Sequence, residues 1–91
     1  MATIDRARVL EVFDVDVEAG TLRRRFTRGG KVAGELASGS ISRKGYARVG
    51  IDRRLHMLHR IIWLVATGEQ PRWQIDHING EPSDNRITNL R

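Results

Sequence analysis

The stretch WQIDHING, residues 73–80, followed by DNRITNLR, residues 84–91, decides how this chain is organised. Asp76 and His77 stand side by side in it, and a glycine turn follows them. Adjacent residues on a strand point to opposite faces, so a strand over 74–78 separates the two side chains. Asp76 can then hold a metal ion from one face, while a neutral His77 imidazole takes a proton from water at the other. Taken alone, the pair is more simply a surface pair bridging a turn.

Two asparagines follow the pair and compete for a positioning role. Asn89 lies twelve positions after His77, on a predicted return strand over 87–90. Its amide both donates and accepts hydrogen bonds, so it can fix the loop that carries His77. Asn85 is the rival for this role.

At these residues the sequence resembles the His-Asn-His (HNH) endonucleases of the ββα-metal fold, in their small phage and homing type. The matching positions are Asp76-His77, Gly80, Asp84-Asn85-Arg86 and Asn89-Leu90-Arg91. Upstream matches are His59-Arg60, Trp63-Leu64, Thr67-Gly68 and Pro71, and then Gly34, Gly45-Tyr46 and the stretch 14–20. The resemblance therefore covers most of the chain. Its spacing, with the following Leu90, favours Asn89 over Asn85.

The resemblance implies metal-dependent hydrolysis or nicking of a phosphodiester in double-stranded DNA. It makes His77 the general base, Asp76 a ligand of one divalent metal (Mg or Mn), and Asn89 the residue that positions the His77 loop. The family's third signature residue, an Asn or His on a following helix, would fall beyond Arg91. We therefore expect an endonuclease truncated before its final helix, with weak metal binding and incomplete catalysis. The alternative is a non-catalytic DNA-binding or regulatory protein built on an HNH remnant.

Composition restricts the classes of protein that fit. Ninety-one residues with 40% hydrophobic content predict one small globular domain. The absence of cysteine excludes disulfides and a cysteine-ligated zinc site. No apolar run approaches the ~20 residues of a membrane span, and no signal peptide opens the chain. We expect a cytoplasmic protein with no membrane partner, in the host cytoplasm if phage-encoded.

Positive charge concentrates in the middle of the chain. Residues 20–60 hold 11 basic and 2 acidic side chains, whereas the segments on either side are mildly acidic. Arginine predominates, and its guanidinium matches phosphates and guanine edges. The bland alternative is a solvated surface enriched in arginine by codon bias. The expected DNA contacts are Arg23, Arg25, Arg43, Lys44, Arg53 and Arg54, with Arg86 reaching a phosphate near the site.

The pattern predicts an α+β fold with a small β-rich N-terminal module, one core helix and the β-hairpin of an HNH motif. We divide it into a basic DNA-binding part, residues 1–54, and a core helix with the partial motif, residues 55–91. The core helix is predicted over 58–67, where apolar residues recur at helical spacing. Upstream we expect a helix ending at Phe13, a turn over 14–20, strands over 21–26, 31–36 and 46–51, and a mobile loop over 38–44.

Three further expectations concern single features. His59 is expected to be a partly buried histidine bonded to a carbonyl, with metal binding as the alternative. Trp73 is expected to pack beside the motif strand, with stacking on a base as the alternative. Two strands alone are marginal, so the terminal hairpin must lean on the core helix or on a second copy of the chain. The second case predicts a homodimer, and the chain is expected to fray after Asp84.

Overall fold

The computed structural model describes residues 4–37 and 40–91, in which two helices, five strands and a short 3-10 turn are present. In chain order they are α1 (Arg6–Val12), β1 (Phe13–Asp16), β2 (Thr21–Arg24), β3 (Ser40–Ile41), β4 (Ala47–Ile51), β5 (Arg54–Met57), α2 (Leu58–Thr67) and the 3-10 turn (Ile87–Asn89). β1 and β2 form one antiparallel pair, and β3, β4 and β5 form an antiparallel sheet in that order. The predicted α+β class is confirmed.

Helix α2 has the predicted bounds and is the centre of the core. Its buried face carries Leu58, Ile61, Ile62 and Leu64, and burying each such side chain contributes about 1.5–3 kcal/mol. The helix ends at Gly68, whose φ of 76° is a left-handed conformation and whose N–H bonds to Leu64 O at 2.8 Å. No helix within residues 4–37 and 40–91 is long and apolar enough to cross a membrane.

One hydrophobic core joins the N-terminal and C-terminal parts of the chain. Residues from α1, both sheets, α2 and the last segment pack together: Val9, Phe13, Leu22, Ala37, Ala47, Val49, Ile51, Leu58, Ile61, Ile62, Ile75 and Leu90. Strand β5, Arg54–Met57, runs directly into α2 and spans the predicted boundary between residues 54 and 55. The division into residues 1–54 and residues 55–91 therefore remains a prediction about which part binds DNA and which part carries the motif.

The predicted turn over 14–20 is wrong in its first half. Phe13–Asp16 is strand β1, in which Phe13 is buried, Val15 is half-buried, and Asp14 and Asp16 point outward. This alternation was hidden by the acids, which lie opposite Arg23 and Thr21 on β2. The turn itself occupies 17–20, where Asp16 Oδ1 accepts hydrogen bonds from the next backbone N–H groups. Helix α1 correspondingly ends at Val12 and not at Phe13.

The predicted strand over 31–36 is also wrong. The segment pairs with its neighbours through isolated bridges, Arg28 with Lys31 and Arg23 with Leu36, and not through a continuous strand ladder. Gly34 has a φ of 89° and bonds to Arg24 O at 2.7 Å, so the backbone turns where a strand would continue. In the predicted loop over 38–44, residues 38 and 39 lie outside the described residues, and Ser40–Ile41 forms β3.

The predicted hairpin at the end of the chain is reduced to a single bridge between His77 and Leu90. The expected return strand is instead a 3-10 turn, Ile87–Asn89, whose last residue is buried. Side-chain amides of the motif supply hydrogen bonds that a longer ladder would otherwise provide. The predicted fraying after Asp84 is wrong as well, because Asn85 and Leu90 are both buried.

The turn after β1 packs against the motif loop at Gly20. Its φ is 72°, and a Cβ at this position would lie 2.4 Å from Asn85 C and 2.5 Å from Arg86 N. Nearby, Ile87 N–H donates to Val17 O at 2.8 Å. The N-terminal hairpin and the motif loop therefore meet backbone to backbone, with no room for a side chain.

We predict that Gly20→Ala lowers the free energy of unfolding by about 2 to 5 kcal/mol, from left-handed strain together with overpacking. Gly68→Ala is the matched control, because Gly68 has a similar φ of 76° and open space around it. It should cost only about 1 to 2 kcal/mol. Urea denaturation measures both, and equal losses in the two variants would contradict the close contact.

Candidate active site

Backbone pairing fixes which way the two central side chains of the motif point. Asp76 N–H donates to Arg91 O at 2.8 Å, and Arg91 N–H donates to Asp76 O at 3.1 Å. Next to this pair, Ile78 N–H donates to Asn89 O at 2.8 Å. The Asp76 carboxylate is exposed, with Arg91 Nη2 at 3.5 Å, whereas His77 is buried. The predicted separation of Asp76 and His77 onto opposite faces is therefore present.

The imidazole of His77 lies among two other rings. Its centroid is 5.0 Å from that of His59 and 5.7 Å from that of Tyr46. Tyr46 and His59 are in turn 5.4 Å apart. His59 lies on α2, and Tyr46 is the residue that immediately precedes β4. The core helix and the central sheet therefore both contribute a ring that packs on the motif histidine. Sequence spacing gives no sign of this cluster, because its members are far apart along the chain.

Asn85 fixes the hydrogen-bonding state of His77. The distance from His77 Nε2 to Asn85 Oδ1 is 2.9 Å, and both residues are buried. An amide oxygen only accepts, so this bond puts a ring hydrogen on Nε2 and leaves Nδ1 outside the contact with Asn85. Asn85, the rejected rival, thus contacts His77 directly.

Asn89 ties the two ends of the motif loop together. Its Oδ1 accepts from Asn79 N–H at 3.1 Å, and its Nδ2 donates to Asn79 Oδ1 at 3.0 Å and to Asp84 O at 2.9 Å. With the side chain buried, these bonds form away from bulk water, where an unmet partner is costly. Asn89 therefore closes the loop that begins at His77, and Asn85 holds the ring itself. The two asparagines have complementary contacts.

Asp84 is the anionic centre of this loop. Arg86 binds it through two guanidinium nitrogens, Nε to Oδ1 at 2.8 Å and Nη2 to Oδ2 at 2.7 Å. Asn79 Nδ2 donates to the same carboxylate at 2.9 Å. The hydrogen bonds from Arg86 lower the pKa of Asp84 to about 2. Arg86, predicted to reach a phosphate, is thus already paired with a carboxylate.

His59 adopts the buried position expected of it but without the expected carbonyl partner in the described part of the chain. It packs on His77 instead, and burial lowers its pKa to about 4. Because His77 leaves the strand on the face opposite Asp76, His59 is not placed to share a metal with that carboxylate. Among residues 4–37 and 40–91, no three His, Cys, Asp or Glu side chains converge on a common metal position.

The predicted phosphate contacts fall into two groups. Arg23 donates to Gly34 O, and Arg25 contacts Leu10 O and Asp14, so these two stabilise the N-terminal hairpin. The other group is exposed and has no side-chain hydrogen bond to any described residue: Arg43 and Lys44 before β4, and Arg53 and Arg54 after it. The second group is the available cationic surface.

A basic groove that the sequence did not predict lies between α1, β2 and β4. Phe26, which is 64% exposed, lies among the basic residues of this groove, and the floor of the groove is apolar. Its cationic lining consists of Arg8, Arg24, Arg28 and Lys31. Arg8 is occupied by Asp52 and Glu11. The alternation of Leu22, Arg24 and Phe26 on one strand face was visible in the sequence, but the partner surface from α1 was not.

Protonation of His59 is predicted to destabilise the fold as pH falls from 6.5 to about 4. The unfolded chain binds this proton near 6.5, whereas the folded state resists it until about 4, so the stabilisation is complete above 6.5 and decreases through this range. The urea denaturation midpoint of His59→Gln should therefore depend less on pH across this range than the midpoint of the wild type.

The control for this prediction is Asp84→Asn. Because the pKa of Asp84 is lowered, its ionised carboxylate stabilises the fold above pH 3.8. This stabilisation is lost as the pH falls through about 2. Asp84→Asn should therefore keep the decrease between 6.5 and 4 and alter only the more acidic range. A wild-type pH profile in His59→Gln would contradict the role of its burial.

Comparison with known proteins found one match over the motif and one over the whole chain. Residues 56–91 match the family model described as HNH endonuclease. The whole chain superimposes on 51% of a solved chain of the HNH homing endonuclease I-HmuI, a protein that binds and cleaves DNA, with a TM-score of 0.68 and 23% identity. No curated protein matches the chain. The chain thus spans about half the length of that solved protein. The motif segment, residues 56–91, is therefore similar to the HNH endonuclease family, and the whole chain shares the fold of that solved protein.

Proposed function

We propose that this chain is the DNA-binding and motif-bearing part of an endonuclease of the small phage or homing type, which hydrolyses or nicks a phosphodiester in double-stranded DNA with a divalent metal. One observation carries the proposal. Asp76 presents a carboxylate to solvent, while the adjacent His77 is held on the other face by the bond between its Nε2 and Asn85 Oδ1. Location in the host cytoplasm and homodimer formation remain predictions.

In the proposed reaction a water molecule attacks phosphorus and passes its proton to His77 Nδ1. The bond from phosphorus to the leaving oxygen breaks, and that oxygen keeps the electron pair and takes a proton from solvent. His77 suits the role of base because Asn85 holds the ring at Nε2 and leaves Nδ1 to accept the proton. Asn89 acts earlier, by keeping the loop that follows His77 closed. Tyr46 and His59 pack beside the ring.

A divalent metal fits one face of this site in part. Mg²⁺ is commonly bound by one or two carboxylates together with substrate phosphates and waters, and Asp76 offers one exposed carboxylate for this purpose. Bound there, Mg²⁺ or Mn²⁺ would stabilise negative charge on the phosphate. The Arg91 guanidinium lies 3.5 Å from the carboxylate, so binding of a metal there would require this side chain to move away or to contact the phosphate.

The single carboxylate supports a second candidate function. A single carboxylate is a poor site for Mg²⁺, so we infer weak metal binding and incomplete catalysis for this chain. A non-catalytic DNA-binding or regulatory protein built on the same motif would need no complete metal site. The two candidates differ in whether the chain cuts DNA.

The exposed cations lie where a duplex could reach them and the motif together. A Cβ on Gly45 would lie 3.2 Å from Pro82 Cγ, so the turn with Arg43 and Lys44 borders the motif loop. Arg53 and Arg54 follow β4 at its other end, and five strand residues span roughly 16 Å. Both pairs can therefore contact phosphates along one DNA segment.

The test of chemistry is nicking of supercoiled plasmid by this chain with Mg²⁺ or Mn²⁺, with EDTA as the metal-free arm. His77→Ala should reduce any nicking by about 10²- to 10⁴-fold, the usual contribution of a positioned base, and leave DNA binding intact. His56→Ala, on β5 outside the ring cluster, is the control. Undiminished cutting in His77→Ala would remove this residue from the mechanism, and binding without metal-dependent nicking would favour the second candidate.

The test of binding is the salt dependence of affinity for a short duplex. Reversing both Arg53 and Arg54 to Glu should weaken binding to all sequences alike and reduce the slope of log affinity against log salt by about 2, since each phosphate contact contributes about 0.9. Reversing Arg6 and Arg60, on the two helices, changes the net charge equally. Equal weakening by both double variants would show that net charge alone drives binding.

A further inference from the structure

Trp73 is the most exposed large apolar side chain in the described ranges, at 78%. Alternation along the motif strand predicts the opposite, because Trp73 has the same parity as Ile75 and His77, which are both buried. The backbone bends at residues 72 and 73, and the alternation begins only after them. The expectation that Trp73 packs beside the motif strand is therefore wrong.

The tryptophan stands close to the proposed metal-binding face. Trp73 is three residues before Asp76, and an extended segment of that length spans about 10 Å. Arg91 connects the two, because it lines a narrow notch with Trp73 and pairs with Asp76 through its backbone and side chain. Trp63 and Pro71 also line that notch.

Two cations line the same notch as the exposed ring. Arg72 is its neighbour in sequence and is exposed, and Arg91 shares the notch. A nucleotide presents a flat apolar base between anionic phosphates, which complements an indole that shares one notch with two guanidinium groups. A partner protein surface would not need this pairing of one aromatic plane with two cations.

We propose that Trp73 stacks on a DNA base next to the phosphate held at Asp76, and that it partly unstacks that base from the duplex. The proposal rests on the proposed function and identifies the nucleotide that the motif face contacts. Aromatic side chains that insert at base steps unstack and bend a duplex in this way. Arg72 and Arg91 contact the flanking phosphates.

The experiment uses the full chain with Trp63→Phe, which leaves Trp73 as the sole tryptophan. Titration with a short mixed-sequence duplex should quench Trp73 emission. In the wild-type background, Trp73→Ala should lower affinity by about 5- to 100-fold, the loss expected for one stacked base, and leave the salt slope unchanged. Trp73→Phe should restore most of the affinity, because it keeps an aromatic face.

The outcomes separate this inference from the nuclease proposal. Normal affinity in Trp73→Ala, or unquenched emission with DNA bound, overturns the stacking role while DNA binding stands. A reduced salt slope in Trp73→Ala also overturns it, since that would mean lost phosphate contacts. Self-association of the chain that disappears in Trp73→Ala would assign the ring to a second copy instead. Failure of the wild type to bind DNA at low salt removes both proposals.

Discussion

The reciprocal hydrogen bonds between the backbones of Asp76 and Arg91 determine how the motif presents its chemistry. They hold the chain extended at Asp76, and alternation then places His77 inward and Asp76 outward. A shift of the pairing by one residue would exchange the two faces and bury the carboxylate. The proposed metal ligand, the proposed base and the exposed Trp73 all depend on this register.

Buried amides maintain that register where a sheet does not. Asn89 makes three hydrogen bonds across the loop, and Asn85 makes one to His77. Below them the backbone at Gly20 packs against Asn85 with no space for a side chain. The motif is therefore supported by polar contacts and close backbone packing, and α2 supplies the hydrophobic core beside it.

Sequence predicted best where one local signal decides the structure. Helical spacing and the glycine after Thr67 predicted α2 to the residue, and the motif spacing placed Asp76 and His77 on opposite faces. Sequence predicted poorly where distant parts meet: the cluster of Tyr46, His59 and His77 joins three segments, and no local pattern encodes it. The acids of β1 concealed a strand because their partners lie on β2. An expected return strand is absent at Ile87–Asn89, where hydrogen bonds from the Asn89 side-chain amide take the place of a backbone ladder.

Paramagnetic broadening by Mn²⁺ in the DNA-bound chain tests the central claim most directly. With the backbone resonances assigned, Mn²⁺ should broaden first the signals of Asp76 and Arg91, and Asp76→Asn should remove this effect while DNA remains bound. The resonances of α2 should be affected less, since its ring-bearing face lies behind His77. Broadening centred on another acidic stretch, such as Asp14 to Glu18, or unchanged broadening in Asp76→Asn, would contradict the assignment of Asp76 as the metal-binding face.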